Sequence, residues 1–173
     1  MSARSFRLAI LADAAQISAL VNMAYRGEVS RQGWTTEADL LDGLRTTTEQ
    51  VTDIIKNHHS IFILCLQDKA IIGSVCLEHQ HNMVHVGMFV VRPNLQDSGI
   101  GKQLLTYAED YAKQHFNSNR FVMHVISQRH ALIDFYQRRG YQRTGVVEDF
   151  PVNAEMWQPK VAGLKLVQLV KVT

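Results

Sequence analysis

Residues 96–102, Gln-Asp-Ser-Gly-Ile-Gly-Lys, have the types and spacing to hold an anion. Before them lies Phe89-Val90-Val91, an apolar, β-branched run that suits a buried strand. Pro93 has no N–H to offer a ladder and ends it. After them Leu104, Leu105, Ala108, Tyr111 and Ala112 recur with the helical period. The first amides of a helix lack intrahelical acceptors and sit at the positive end of its dipole. Gly99 and Gly101 remove the Cβ atoms that would hold a phosphate off the backbone. The ligand expected here is a phosphate or pyrophosphate.

Two common phosphate ligands fail on spacing. A nucleotide P-loop needs Gly where Gln96 stands and Ser or Thr where Gln103 stands. A dinucleotide fingerprint needs a third glycine, and Leu104 occupies its place.

The elements that must position this turn follow from periodicity. Residues 6–11 read as a strand, with Asp13 and Gln16 as a capping box for a helix through about Tyr25. Residues 26–35 are polar with two glycines and read as loop. Thr36 then caps a second helix carrying Leu40, Leu41 and Leu44, and Thr48 a third carrying Val51, Ile54 and Ile55. Runs 60–66, 70–78 and 83–91 are separated by hairpin-sized polar breaks and predict an antiparallel meander. The anion-binding helix ends near His115. Run 121–126 is a strand that should lie parallel to 83–91. Residues 130–139 form a short helix ended by Gly140, and 141–147 and 164–172 are the last strands. The order is an α/β fold with a mixed central sheet, antiparallel in its N-terminal part and with a parallel pair at the anion loop, flanked by helices. Residues 1–173 read as one domain, with neither repeat nor linker.

A second block, Phe135-Tyr136-x-x-x-Gly140-Tyr141, follows at a fixed distance. With Gln96-x-x-Gly99-x-Gly101 and the element order, it resembles the GNAT superfamily of acetyl-CoA-dependent N-acetyltransferases along almost the whole chain. The resemblance implies acetyl-CoA as co-substrate, its pyrophosphate on Gln96, Asp97, Ser98, Gly99, Ile100, Gly101 and Lys102. It implies backbone contacts from Phe89, Val90 and Val91 to the pantetheine arm and acetyl carbonyl, with a bulge freeing an N–H for the oxyanion. Tyr136 would lie by the coenzyme sulfur and act as general acid. The family often places a glutamate near positions 87 and 88; this chain has Gly87 and Met88. Glu78 and His85 are the nearest titratable candidates for the base. For the acceptor, Trp34 in a glycine-flanked loop could wall a pocket, and Glu37 and Glu148 could hold a cationic amine.

Composition sets outer limits. Hydrophobic residues are 46% and charged residues 20%, ordinary for a globular domain. A net charge of +2 with scattered basic residues gives no nucleic-acid stripe. Neither a secretory leader nor a membrane span is expected, so the reading is cytoplasmic. Cys65 and Cys76 lie in apolar runs and read as buried free thiols. His79 and His81 lack a third ligand, so no metal is expected. Within the resemblance, the leading reading of the acceptor is a primary amine of a small molecule; a protein N-terminus or lysine, or a non-catalytic CoA-binding role, stays open. The apolar final strand could pair with a second subunit as a homodimer.

Overall fold

A computed structural model describes residues 3–173. Seven strands form one mixed sheet: β1 (Arg4–Leu8), β3 (Ser60–Gln67), β4 (Ala70–Gln80), β5 (Met83–Val91), β6 (Arg120–Ile126), β9 (Lys165–Val172) and β7 (Gln142–Asp149), in that spatial order. A two-stranded sheet pairs β2 (Leu41–Gly43) with β8 (Trp157–Pro159). The helices are α1 (Ala14–Tyr25), α2 (Thr48–Lys56), α3 (Ile100–His115) and α4 (His130–Gln137).

Each face of the sheet carries its own core. On one side Leu104, Leu105 and Ala108 of α3 and Ile133 of α4 pack on Ile63, Leu77 and Phe121. On the other, Ile17 and Val21 of α1 and Val51 of α2 pack on Phe62 and Leu64. Strands buried on both faces read as near-continuous apolar runs, which is why 60–66 and 70–78 were legible. The expected meander is present, β3–β4–β5 antiparallel. Cys65 and Cys76 are free and buried, and burial pushes the Cys76 thiol up to about 12.

Four local expectations give way. Residues 36–44 form no helix: Leu41–Gly43 is a strand paired to residues more than a hundred positions on. Gly43 has φ +95°, and a Cβ there would fall 2.1 Å from Met156 O, so a tertiary pairing overrides the leucine spacing. Asp13 does not cap α1; its carboxylate accepts from the Ile10 N–H and pairs with Arg7 at 2.7 Å. Thr47, not Thr48, caps α2, accepting from the Gln50 N–H. Finally, β9 lies between β6 and β7, so the last strand offers no free edge for a partner; the edge strand on that side is β7, exposed along its length.

At the far side of α3, Glu109 is buried. It accepts from the Tyr141 hydroxyl at 2.7 Å and from Lys171 Nζ at 2.8 Å.

Candidate active site

The turn before α3 is open to a ligand. Asp97 (φ +64°) and Gly99 (φ +82°) are left-handed and swing successive amides to one side. Gln103 is the first α3 residue whose N–H meets a backbone carbonyl, that of Gly99 at 3.1 Å. The amides of residues 97–102 have no acceptor among the described residues. A Cβ at Gly99 would meet no atom within 4 Å, so the space over these amides is clear. The Gln96 side chain does not fill it. Its Nε2 donates to Thr35 Oγ1 (2.8 Å) and Val91 O (3.1 Å), fastening the 33–35 loop to the end of β5.

β5 and β6 pair in parallel only at Val84–Phe121 and His85–Val122, then part. The cause lies in β5. Cys76 of β4 faces Gly87 and Ser74 faces Val90, so Met88 and Phe89 oppose the single residue between. Met88 takes φ +45° to make this bulge. The carbonyl of Phe89 is met by the Tyr25 hydroxyl of α1, which donates to it at 2.9 Å.

Two cavities open at the parting. The first, about 480 Å³, runs from the amides of Gly99 and Gly101 past Phe89 and Val91 to Phe135. The second, about 240 Å³, lies between β5 and β6, beside Gly87, His124, Tyr136 and Trp157. Tyr25, Phe89, Arg129 and Leu132 wall both.

Tyr136 is buried among Phe89, Phe135 and Tyr141, with ring centroids 5.5–6.1 Å away. Burial raises its hydroxyl far above the ordinary phenol range and keeps its proton on. Around the second cavity stands a buried charge network. Arg26 Nε is 3.2 Å from Glu37 Oε1 and Arg129 NH1 is 3.0 Å from Glu37 Oε2, with side chains only 4, 9 and 8% exposed for Arg26, Arg129 and Glu37. Arg129 also donates to Thr35 O, and Arg26 to Leu44 O at 3.2 Å. Arg45 joins the same wall.

The structure gathers most of the residues singled out from sequence. Phe89, Val90, Val91, Gln96, Asp97, Gly99, Gly101 and Lys102 line the first cavity. Ser98 and Ile100 shape the turn: Ser98 Oγ donates to Leu95 O at 2.5 Å, and Ile100 is buried in the core under α3. Trp34 walls the first cavity rather than the second, against Phe135 at 5.7 Å. Tyr136 lines the second. Glu37 is in the second cavity, but both its oxygens are engaged by guanidinium groups. Glu148 is exposed on β7 and lines neither cavity, nor do Glu78 and His85. Glu78 faces His85 across β4 and β5, and the His85 ring stacks 6.4 Å from that of His124. His79 stacks on Phe116 at 5.1 Å and His81 sits in the hairpin turn with φ +56°. No three His, Cys, Asp or Glu residues converge as a metal cluster among the described residues.

Sequence reasoning missed Arg45, His124 and Arg129. Arg45 and His124 carry no local signal. Arg129 had one: it follows a strand of the parallel pair at its carboxyl end, where open α/β sheets place ligands.

Known proteins share this fold. The model of the acetyltransferase (GNAT) family matches residues 22–141. An S-alkylcysteine N-acetyltransferase of Bacillus subtilis is 27% identical over 153 residues, 82% of this chain and 80% of that protein. A spermidine/spermine N-acetyltransferase of Vibrio cholerae superposes with a TM-score of 0.69 at 17% identity, covering 98% of this chain and 92% of that one. The ribosomal-protein-S18-alanine N-acetyltransferase of Escherichia coli gives 0.70 at 10% identity, covering 98% and 94%.

Proposed function

The chain belongs to the GNAT acetyltransferase family and is an acyltransferase, and we propose that it moves the acetyl group of acetyl-CoA directly to the primary amine of a small molecule. This takes residues 1–173 as a single acetyltransferase domain. One observation carries the proposal: two cavities, one floored by unpaired amides and one holding Tyr136, share a wall where β5 and β6 part. The name of the Bacillus subtilis relative supports a small acceptor. So does the second cavity, smaller than the roughly 300–1,000 Å³ usual for drug-sized ligands.

Bound acetyl-CoA supplies an activated acetyl thioester. The amides of residues 97–102 hold its diphosphate, with Lys102 adding positive charge. Phe89 and Val91 present backbone groups to the arm, and an N–H left by the bulge donates to the acyl oxygen as charge develops there. The acceptor nitrogen bonds to the acyl carbon as the carbon–sulfur bond breaks. Tyr136 Oη passes its proton to the sulfur. The proton shed by the amine leaves to solvent by way of His124, the titratable imidazole lining the second cavity, and an equivalent proton returns to Tyr136; His85, stacked on His124 at 6.4 Å, and Glu78 opposite it stand behind. Proton count is thereby conserved and no covalent enzyme intermediate is needed.

Two measurements test this. Acetyl-CoA should raise the melting temperature by mass action, and thiol release should follow on some member of a small-amine panel. A melting temperature indifferent to millimolar acetyl-CoA would overturn the proposal. Stabilisation without thiol release on any amine would make the chain a CoA-binding domain instead.

A further inference from the structure

The second cavity carries more positive charge than its own residues neutralise. Arg26 and Arg129 share one carboxylate, that of Glu37. Arg45 lines the same cavity, and its guanidinium forms no ion pair among the described residues. His124, lining the same cavity, adds no negative charge. Arg45 is held in place through its backbone: its N–H and that of Thr46 both donate to Asn22 Oδ1 of α1, at 2.8 and 3.1 Å, and Asn22 Nδ2 returns a bond to Thr46 O at 3.0 Å. A guanidinium fixed at the root and unpaired at the tip, in a recess with uncompensated positive charge, is arranged for a planar anion. Met88, Phe150 and Trp157 supply an apolar part of the wall.

Taking this cavity as the acceptor site of the acetyl transfer proposed above, we infer that the acceptor is an α-amino acid or close analogue with an apolar side chain, its carboxylate held by Arg45. The carboxylate takes no part in bond making. It satisfies Arg45 and places the amine toward Tyr136. The same field repels a second cation, so a polyamine is a poor acceptor.

The experiment compares matched acceptors by thiol release: methionine, leucine and phenylalanine against their amides and decarboxylated amines, with spermidine alongside. The acids should show kcat/KM about tenfold or more above the carboxyl-free partners, as expected for loss of a charged hydrogen-bond partner. In Arg45→Gln that ratio should collapse toward one through the acceptor KM, while the KM for acetyl-CoA stays put; Arg45→Glu should invert it. Calorimetric titration of methionine and its decarboxylated amine, without acetyl-CoA, reads the same preference independently of turnover. Circular dichroism melting confirms that both variants are folded. Turnover of the carboxyl-free amines or spermidine as fast as the acids overturns the inference and leaves acetyl transfer standing. An unchanged ratio in Arg45→Gln does the same. Methionine binding that Arg45→Gln abolishes, with no turnover of any amine, would support the carboxylate site and sink the transfer reading alone.

Discussion

The first cavity takes its chemistry from one contiguous stretch of backbone, residues 96–102, whereas the second takes it from side chains that begin far apart. Arg26 caps the end of α1, Glu37 and Arg45 lie on either side of β2, His124 comes from β6 and Arg129 from the loop after it. A backbone site needs glycines and a helix start, and any side chain beyond that is optional. A side-chain site needs every partner present, because a buried charge that loses its counterpart is left uncompensated. The two halves should therefore respond differently to substitution. The first should lose ligand affinity while the fold survives, and the second should lose stability together with function.

Tyr136, in the second cavity beside Phe89 of the shared wall, gives the largest effect. Tyr136→Phe removes the proton donor and keeps the packing, so kcat should fall about 10²- to 10⁴-fold with acetyl-CoA affinity retained. Stopped-flow thiol release against a binding titration separates the two. Because burial holds this hydroxyl above the ordinary phenol range, the wild-type rate should show no loss of the acid up to at least the ordinary range.

Glu37→Gln tests the side-chain half. It strips the shared counterion from two buried guanidinium groups, a loss of roughly 3–5 kcal/mol. That corresponds to a melting temperature about 10 °C lower for a chain of this size. A melting temperature within a degree of wild type would erase the distinction drawn between the cavities.

Gly101→Val tests the backbone half. A Cβ there would lie 3.6 Å from both Phe89 and Phe135, an ordinary contact, but the branches of valine would press into those rings. Acetyl-CoA stabilisation should vanish in Gly101→Val and be reduced by the single Cβ of Gly101→Ala, and both proteins should stay folded by near-ultraviolet circular dichroism.

The smallest effect lies outside both cavities and serves as a control. The Arg7 guanidinium hydrogen-bonded to Asp13 holds its carboxyl below the usual range. A depressed folded value stabilises the protein above the ordinary aspartate range, and that stabilisation fades as pH falls through the folded value. Asp13→Asn should flatten this acid limb of the denaturation midpoint and leave neutral activity unchanged.

The same contrast explains what could be read without coordinates. The anion turn, the meander and α4 with Gly140 at φ +96° were legible because each is written in neighbouring residues: glycine, proline, period and cap. The β2–β8 pair was not, since its leucines fit a helix until Trp157–Pro159 arrives from the far end of the chain. Glu37 was singled out as a carboxylate for a cationic amine, but its two arginine partners come from different elements, and no spacing announces them. Arg45 is silent for the same reason.

Glu109 bears on both halves at once. Through Lys171 it ties α3 to β9, and through Tyr141, directly after Gly140, it ties α3 to the end of the block that carries Tyr136. The helix that presents the amides and the segment that presents the phenol are thus moored to one carboxylate. Neither can drift without unmooring a charge shielded from water, so the distance between the two working parts is set before any ligand arrives, and little ordering entropy is left for binding to spend.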